Sequence, residues 1–370
     1  MLHTSLSLVK NTSQMEDKLM SKKKPSYPVS EKLDAYLKTY GRKTKVTISY
    51  QDLLRFSGGI TVYDKNENDT LWIRVYYPEF ERDEIEYNLK RIYTQLHSDG
   101  SENIFDFLKV DAIDFCTFGN SKPFRVKIMN VYNNNYVYFY VKQADASRIY
   151  GLELEHILSP NRINFLVFEN TLIEEHIAGI PGDEFIKDHL EHCDNLGLAQ
   201  IAKEFVKFNE RCMITLLGDM RSYNFVVIPT HDFDHVRYKI RAIDFDQQCY
   251  EGYFKVYQPA IFKENIKYVG LVSKRLGNRS IEQYRNEERA LLAKRILNGK
   301  KRLTRLIRIM STDLISSKEN IQELSSQIFE FTSDIKFKNA SNMGSILRAA
   351  LEYVKRNYED INLKGLMDDV

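Results

Sequence analysis

Two apolar segments bordered by oxygen-bearing polar residues constrain this chain most. Residues 216–228 read LLGDMRSYNFVVI and residues 240–246 read IRAIDFD. Apolar runs of this kind, separated by polar turn residues, predict two strands joined by a hairpin. Asp219, Asn224 and Asp244 stand at the edges of the runs, where a strand ends and presents a side chain. Carboxylate and amide oxygens are the ligands that a phosphate-bound Mg²⁺ prefers, so we expect this hairpin to carry the chemistry.

The composition is that of an ordinary globular protein. The chain has 370 residues, 28% of them charged, and a formal net charge of +2. So small a charge makes nucleic acid an improbable main partner. The four cysteines are scattered without a CxxC pair, which disfavours structural zinc and a disulfide framework and suits the cytoplasm. The chain has no apolar run of about 18 residues, so we expect no membrane span.

Periodicity divides the chain into a strand-rich part and a helical part. Residues 1–44 are predicted to be disordered or extended, and residues 45–105 to form an accessory α/β segment. The accessory segment has a predicted strand at 70–77 and a predicted helix at 82–97. The later predicted elements are strands at 112–117, 124–129 and 136–142, a helix from Asp145 or Ser147 to Leu158, and strands at 163–168 and 172–177. From residue 179 onward helical spacing dominates.

The order of the polar residues resembles the catalytic core of the protein-kinase-like fold. An Asp precedes an Asn by five residues, and a second Asp ends the next strand. The aminoglycoside phosphotransferase and choline kinase branch is the most similar, with H-G-D-x-x-x-x-N followed by I-D-[FW]-[DE]. The resemblance covers about residues 110–270. It implies an α+β, two-lobed fold, with a small antiparallel-sheet N-lobe at 106–178 and a mostly helical C-lobe at 179–370 that contains the catalytic hairpin 216–246.

The resemblance also implies ATP and Mg²⁺ as cofactors and a hydroxyl on a small molecule or protein as acceptor. Asp219 corresponds to the catalytic base, and Asn224 and Asp244 correspond to metal ligands. Lys142 ends the third predicted strand of the lobe, where the family places the lysine that binds phosphate and pairs with an acid of the next helix. Glu153 is the first choice for that acid and Glu155 the alternative.

Two further segments correspond to nucleotide-binding parts of the family. Residues 172–179 match the hinge whose backbone binds adenine, which makes Glu175 and Ile177 candidate nucleotide contacts. Gly119 lies in the loop 118–123, which could cover the phosphates with backbone N–H groups, although a plain hairpin turn is the stronger interpretation of one glycine.

Several alternatives stay open at this point. Asp219 and Asn224 are also residues that commonly cap turns, and Lys142 could be an ordinary strand-end lysine. Leu217 stands where the family has His, and the hairpin carries an extra polar insert at 229–235. These departures favour a pseudokinase that binds and regulates without catalysis. A third hypothesis is nucleotidyl transfer to a protein with the same residues. The basic segment 294–308 is interpreted as the solvated face of a helix.

Overall fold

The chain forms two compact units in this computed structural model, which describes residues 24–98, 100–119, 121–232 and 236–358. We call residues 28–146 with 163–176 the sheet unit. The helical unit contains the described residues among 24–27, 147–162 and 177–358. The predicted α+β class is confirmed, because an antiparallel sheet dominates the N-terminal region and helices dominate the C-terminal region.

The sheet unit is built on a seven-stranded antiparallel sheet with strand order β1-β2-β3-β4-β5-β7-β6. Its elements are α1 (Glu31–Thr39), a helical turn (Tyr50–Leu53), β1 (Gly58–Tyr63), β2 (Asp69–Tyr76), α2 (Glu79–His97), a 3₁₀ turn (Phe105–Phe107), β3 (Leu108–Cys116), β4 (Phe124–Asn130), β5 (Tyr136–Gln143), β6 (Phe165–Phe168) and β7 (Thr171–Glu175). Each predicted strand and helix of this region is therefore present, with ends that shift by a few residues.

Strand alternation creates the core of the sheet unit. On β4, Phe124, Val126 and Ile128 are buried at every second position, while the residues between them are partly exposed. On α2, Ile85 and Leu89 are buried at helical spacing and join the same apolar cluster. A sheet with one apolar face must cover that face, and α2 supplies the cover through its contacts with β3 and β4.

The N-terminal segments differ from the prediction. Residues 45–105 were expected to be an accessory module, yet β1 and β2 extend the same sheet, with Trp72 opposite Cys116 on β3. An isolated two-stranded hairpin is marginal in water, and pairing with β3 removes an open sheet edge. Residues 31–39 form α1 where a disordered or extended chain was expected. The Ser30 hydroxyl accepts from the Leu33 N–H at 3.2 Å as an N-cap. Residues 1–23 lie outside the described part.

The helical unit contains a three-stranded antiparallel sheet with order β10-β9-β8 and a set of packed helices. Its main elements are α3 (Ala146–Leu158), β8 (Ile180–Pro181), α4 (Asn195–Thr215), β9 (Phe225–His231), β10 (Val236–Ala242), α5 (Ile266–Arg275), α6 (Asn278–Asn298), α7 (Lys300–Met310), α8 (Lys318–Thr332) and α9 (Met343–Tyr358). Short helical turns lie at Gly182–Glu184, Phe185–His189, Leu190–His192, Ser222–Asn224, Phe254–Tyr257, Pro259–Ile261, Lys263–Asn265 and Ile335–Lys338. In the described ranges no helix is both long and apolar enough to cross a bilayer.

The predicted hairpin is present as β9 and β10, with shifted bounds. Residues 216–224 form a turn and not a strand, β9 extends into the predicted polar insert, and β10 begins directly after that insert. Phe225 on β9 lies opposite Ala242 on β10, and the pairing continues without a shift to His231 and Val236. Phe225 is buried and packs its ring against Phe208 of α4 and Tyr268 of α5, with centroid separations of 5.2 and 5.5 Å. This aromatic cluster fixes the hairpin on the helices. Part of the polar insert, residues 233–235, lies outside the described residues.

Replacing Phe124 with Ala should destabilise the sheet unit strongly. The ring is fully buried and lies 5.5 Å from the Tyr50 ring and 4.9 Å from the Phe115 ring. We expect a loss of about 3–5 kcal/mol in the free energy of unfolding. Urea unfolding followed by the fluorescence of Trp72 measures the effect. Phe118→Ala is the matched control, because Phe118 is 69% exposed. Equal effects of the two substitutions would contradict the proposed core.

Candidate active site

A tight turn after α4 sets up the predicted site. Leu216 ends the helix in the left-handed conformation at φ 56° and is fully buried. Leu217 then forms a β-bridge with Gln248, and Asp219 has a second positive φ of 57°. A positive φ is uncommon for a residue other than glycine, so the surrounding contacts must hold these two reversals. The backbone N–H of Asp219 donates to the carbonyl of Val256 at 3.3 Å, which is one of those contacts.

Asp219 and Asn224 are joined directly within this turn. The Asn224 side-chain Nδ2 donates to the Asp219 carbonyl oxygen at 2.7 Å and lies 3.4 Å from Asp219 Oδ2. Because the NH₂ group is used inside the turn, the amide oxygen of Asn224 is the atom available to a further ligand. The predicted cap role and the predicted ligand role of Asn224 are thus compatible.

An arginine that the sequence analysis did not select holds the Asp219 carboxylate. Arg221 Nε donates to Asp219 Oδ1 at 2.8 Å, and Arg221 Nη1 donates to Glu264 Oε1 at 2.8 Å. Burial raises the pKa of Asp219 to about 6, although the hydrogen bond and charge of Arg221 lower it. The charges of Asp244 and Glu264 add to the increase. The backbone N–H of Ile243, next to Asp244, donates to the Asn224 carbonyl at 3.0 Å, which places Asp244 beside the turn. The turn therefore brings Asp219, Asn224 and Asp244 into one neighbourhood of the helical unit.

A second arginine binds the carboxylates that follow β10. Arg148, on α3, donates from Nη2 to Asp244 Oδ1 and from Nε to Asp246 Oδ1, each at 2.6 Å. The backbone N–H of Asp246 also donates to Asp244 Oδ1, at 3.1 Å. The Arg148 side chain is only 3% exposed. One buried guanidinium thus bridges both aspartates of the IDFD segment.

The predicted magnesium ligands can be tested against this arrangement. The amide oxygen of Asn224 suits a hard cation. Asp244 does not suit one here, because its Oδ1 already accepts from Arg148 and from the Asp246 N–H. Within the described ranges, no group of three or more His, Cys, Asp or Glu residues is arranged to hold a metal. As the side chains stand, the Arg148 guanidinium is the cation at Asp244 Oδ1, and the metal role of Asn224 and Asp244 stays a prediction.

Lys142 lies in the sheet unit and has a carboxylate partner on the neighbouring strand. Its ammonium lies 2.9 Å from Glu174 Oε2, and both side chains are buried. The sequence assigned the partner to Glu153 or Glu155, and this pairing requires correction. The Glu153 carboxylate accepts hydrogen bonds from Nε and Nη2 of Arg302, at 2.9 and 2.6 Å. The register of β5 and β7 makes Glu174 a diagonal cross-strand neighbour of Lys142.

Glu175, Ile177 and Gly119 are the remaining predicted nucleotide contacts. Glu175 ends β7, and its Oε1 accepts from the Asn164 N–H at 2.8 Å. Ile177 is buried and belongs to the helical unit. Gly119 has a positive φ of 82° with no atom near the position of a Cβ, as in a plain loop. Roles of these residues in nucleotide binding stay predictions, and residue 120 of the same loop lies outside the described residues.

Comparisons with known proteins add little to these contacts. No protein-family model matches the chain, and no curated protein matches it. Among solved structures the chain is similar to an ethanolamine kinase of Plasmodium vivax. The identity is 16%, the match covers 75% of this chain and 89% of that chain, and the TM-score is 0.26. A TM-score this low supports no argument about function, so the interpretation of the site depends on the contacts of its residues.

The buried pair in the sheet unit should be sensitive to the loss of one partner. Glu174→Gln leaves the Lys142 ammonium without its carboxylate in a buried position, and we expect a loss of about 3–5 kcal/mol in unfolding free energy. The double variant Lys142→Met with Glu174→Leu should recover most of that loss, since neither charge remains. Urea unfolding measures all three proteins.

The control for this prediction is an exposed ion pair. Lys336 and Glu352 lie 2.6 Å apart, and each side chain is 44% exposed. Glu352→Gln should therefore cost only about 0–1 kcal/mol. If Glu174→Gln costs no more than this control, the buried pair does not stabilise the sheet unit.

Asp219 should make the stability of the protein depend on pH. An unfolded Asp has a pKa of about 4. Between that value and the folded-state pKa of about 6, the folded state binds more protons than the unfolded state. The unfolding free energy contributed by Asp219 therefore falls as the pH rises through this window, by up to about 3 kcal/mol. Asp219→Asn removes the titration, so its stability relative to the wild type should increase from pH 4 to pH 7.

Urea unfolding followed by far-UV circular dichroism, at a series of pH values, checks this expectation. Asp111→Asn is the control of opposite sign. The hydrogen bond from Lys127 lowers the pKa of Asp111, with the two groups 2.8 Å apart. The Asp111 contribution is present above the unfolded pKa and is lost as the pH falls. A stability difference between Asp219→Asn and wild type that does not change from pH 4 to pH 7 would contradict the assignment.

Proposed function

We propose that this chain is a kinase-like phosphotransferase that uses ATP to phosphorylate a hydroxyl on a small molecule or a protein. The turn at residues 218–224 carries this proposal, because it joins Asp219 to Asn224 with Asp244 nearby. Carboxylates and an amide oxygen in this order suit phosphoryl transfer, in which the protein mainly positions groups and balances charge. The cytoplasm is the proposed location, on the cysteine pattern of the sequence.

Asp219 is the proposed catalytic base. Its ionised carboxylate would orient the acceptor hydroxyl and accept its proton, a role usually worth about 10²–10⁴ in rate. Arg221 is a positioning residue, since its Nε holds Asp219 Oδ1 at 2.8 Å while Glu264 holds the other side of the guanidinium. This leaves Oδ2 as the proposed acceptor of the proton.

The proposed nucleotide contacts are assigned residue by residue. Lys142 would bind phosphate, and Glu174 would hold the ammonium in place. Glu175 and Ile177 would contact the base, and Gly119 the phosphates. Mg²⁺ at Asn224 and Asp244 is the cofactor expected from the sequence. Because Arg148 already binds Asp244, we assign no step of the reaction to the metal.

A second candidate is a regulatory module that binds nucleotide without catalysis. The observation that favours it is the Arg148 guanidinium on Asp244 and Asp246, together with Leu217 in place of the family histidine. Nucleotidyl transfer to a protein is the third candidate. It would use the same residues but transfer the nucleotide instead of the terminal phosphate.

Labelled ATP separates the three candidates. Incubation of the full chain with γ-labelled ATP and a panel of hydroxyl acceptors should give label transfer, and α-labelled ATP should not. Asp219→Asn should lower the rate by about 10²–10⁴. Asp232→Asn, on an exposed part of the hairpin, is the matched control and should leave the rate unchanged.

The other outcomes each point to one alternative. Transfer of the α label indicates nucleotidyl transfer. A thermal shift with ATP but no transfer of either label indicates the regulatory module. Transfer of the γ label by Asp219→Asn at the wild-type rate refutes the base assignment.

A further inference from the structure

The Arg148 guanidinium contacts one carboxylate oxygen of Asp244 and one of Asp246, as a cation bound between the two aspartates would. Both donor–acceptor distances are 2.6 Å, which is short for a charge-assisted hydrogen bond. Asp244 and Asp246 keep 34% and 30% of their side-chain surface exposed, whereas Arg148 is nearly inaccessible. The positive charge therefore lies beneath the carboxylates, on the protein side of them.

The backbone around Arg148 is held closely. The neighbouring Ser147 hydroxyl donates to the Gln248 carbonyl at 2.6 Å, which ties the start of α3 to the segment after β10. One turn later, a Cβ on Gly151 would come within 2.9 Å of the Phe245 Cβ. Only glycine allows α3 to pass this close to the IDFD segment. Arg148 is thus placed by packing on both sides and is not a surface arginine that happens to reach an aspartate.

A divalent cation at Asp244 would compete with this guanidinium. Mg²⁺ requires near-octahedral oxygen ligands, and the Asp244 oxygen that faces Arg148 already accepts two hydrogen bonds. Two positive ions next to the same carboxylate repel each other, and a buried guanidinium cannot lose its proton to relieve the repulsion.

We propose that Arg148 is an internal cation that takes the place of a divalent metal on Asp244 and Asp246, so that this part of the chain does not bind Mg²⁺ or Mn²⁺. Arg148 supplies one fixed positive charge to the two carboxylates of Asp244 and Asp246. The Asn224 amide oxygen then binds no metal. If the proposed function is correct, the consequence is that a divalent cation reaches this turn only when it is bound to the phosphates of ATP.

Titration of the full-length protein with Mn²⁺ alone, followed by electron paramagnetic resonance of the free ion, tests the proposal. Wild type should show no site at millimolar Mn²⁺. Arg148→Gln removes the charge and should gain a site, with an affinity increase of about tenfold or more. Adding Asp244→Asn to Arg148→Gln should abolish the gained site. Arg148→Lys retains the positive charge without the two-pronged guanidinium, so its Mn²⁺ affinity should stay closer to that of the wild type.

The opposing results are distinct. The proposal is overturned if wild type binds Mn²⁺ and loses it in Asp244→Asn, and this comparison needs no Arg148 variant to fold. It is also overturned if folded Arg148→Gln gains no site. No nucleotide is present, so either result leaves the phosphotransferase proposal to the labelling experiment.

In a second measurement, the affinity for ATP is compared in Mg²⁺ and in EDTA. The ratio of the affinity in Mg²⁺ to that in EDTA should be larger in Arg148→Gln than in wild type, because only the variant frees Asp244 for the metal. An equal or smaller ratio in the variant overturns the internal cation. A protein that binds no ATP under either condition contradicts the phosphotransferase and regulatory functions, while the Mn²⁺ result still decides the role of Arg148.

Discussion

The need to neutralise carboxylates that are partly or fully buried governs the region around the candidate site. Transferring an ionised carboxylate out of water is costly unless a cation or several hydrogen bonds replace the lost hydration. Asp219 is held by Arg221, Asp244 and Asp246 share Arg148, and Glu153 is held by Arg302. In the sheet unit, Glu174 forms an ion pair with Lys142 in the same way. Each acid of the candidate site therefore has a cation of the chain itself beside it.

These ion pairs change the interpretation of the kinase-like pattern. In a metal-dependent site, the aspartate after the hairpin faces a cation that arrives with the substrate. Here the facing cation is covalently part of α3, and a glycine at position 151 lets that helix approach. The turn at Asp219 presents the carboxylate that we propose as a base, whereas the segment at Asp244 has Arg148 as its electrostatic partner. The proposed base at Asp219 and the proposed exclusion of a metal at Asp244 therefore concern different residues and can be tested separately.

Local patterns predicted much of the architecture. Runs of β-branched and aromatic residues identified β4 and β5, and helical spacing identified α2, because these signals depend only on neighbours along the chain. The same signals did not show that β2 pairs with β3, since strand pairing joins residues that are distant in sequence. Helix α1 was missed although Ser30 is a good N-cap and Leu33, Tyr36 and Leu37 follow at helical spacing. The polar residues on both sides of this segment favoured the prediction of a disordered or extended chain.

The sequence by itself determined the α+β class, the hairpin of β9 and β10, and the polar residues placed at its ends. Periodicity and turn chemistry suffice for these features because each is a local property. Only the tertiary structure decided the partners of those polar residues. Arg148, Arg302 and Glu174 come from elements 96, 149 and 32 residues away from Asp244, Glu153 and Lys142. Charge pairing acts through space, and a linear pattern of residue types does not record which arginine or glutamate the fold brings within hydrogen-bond distance.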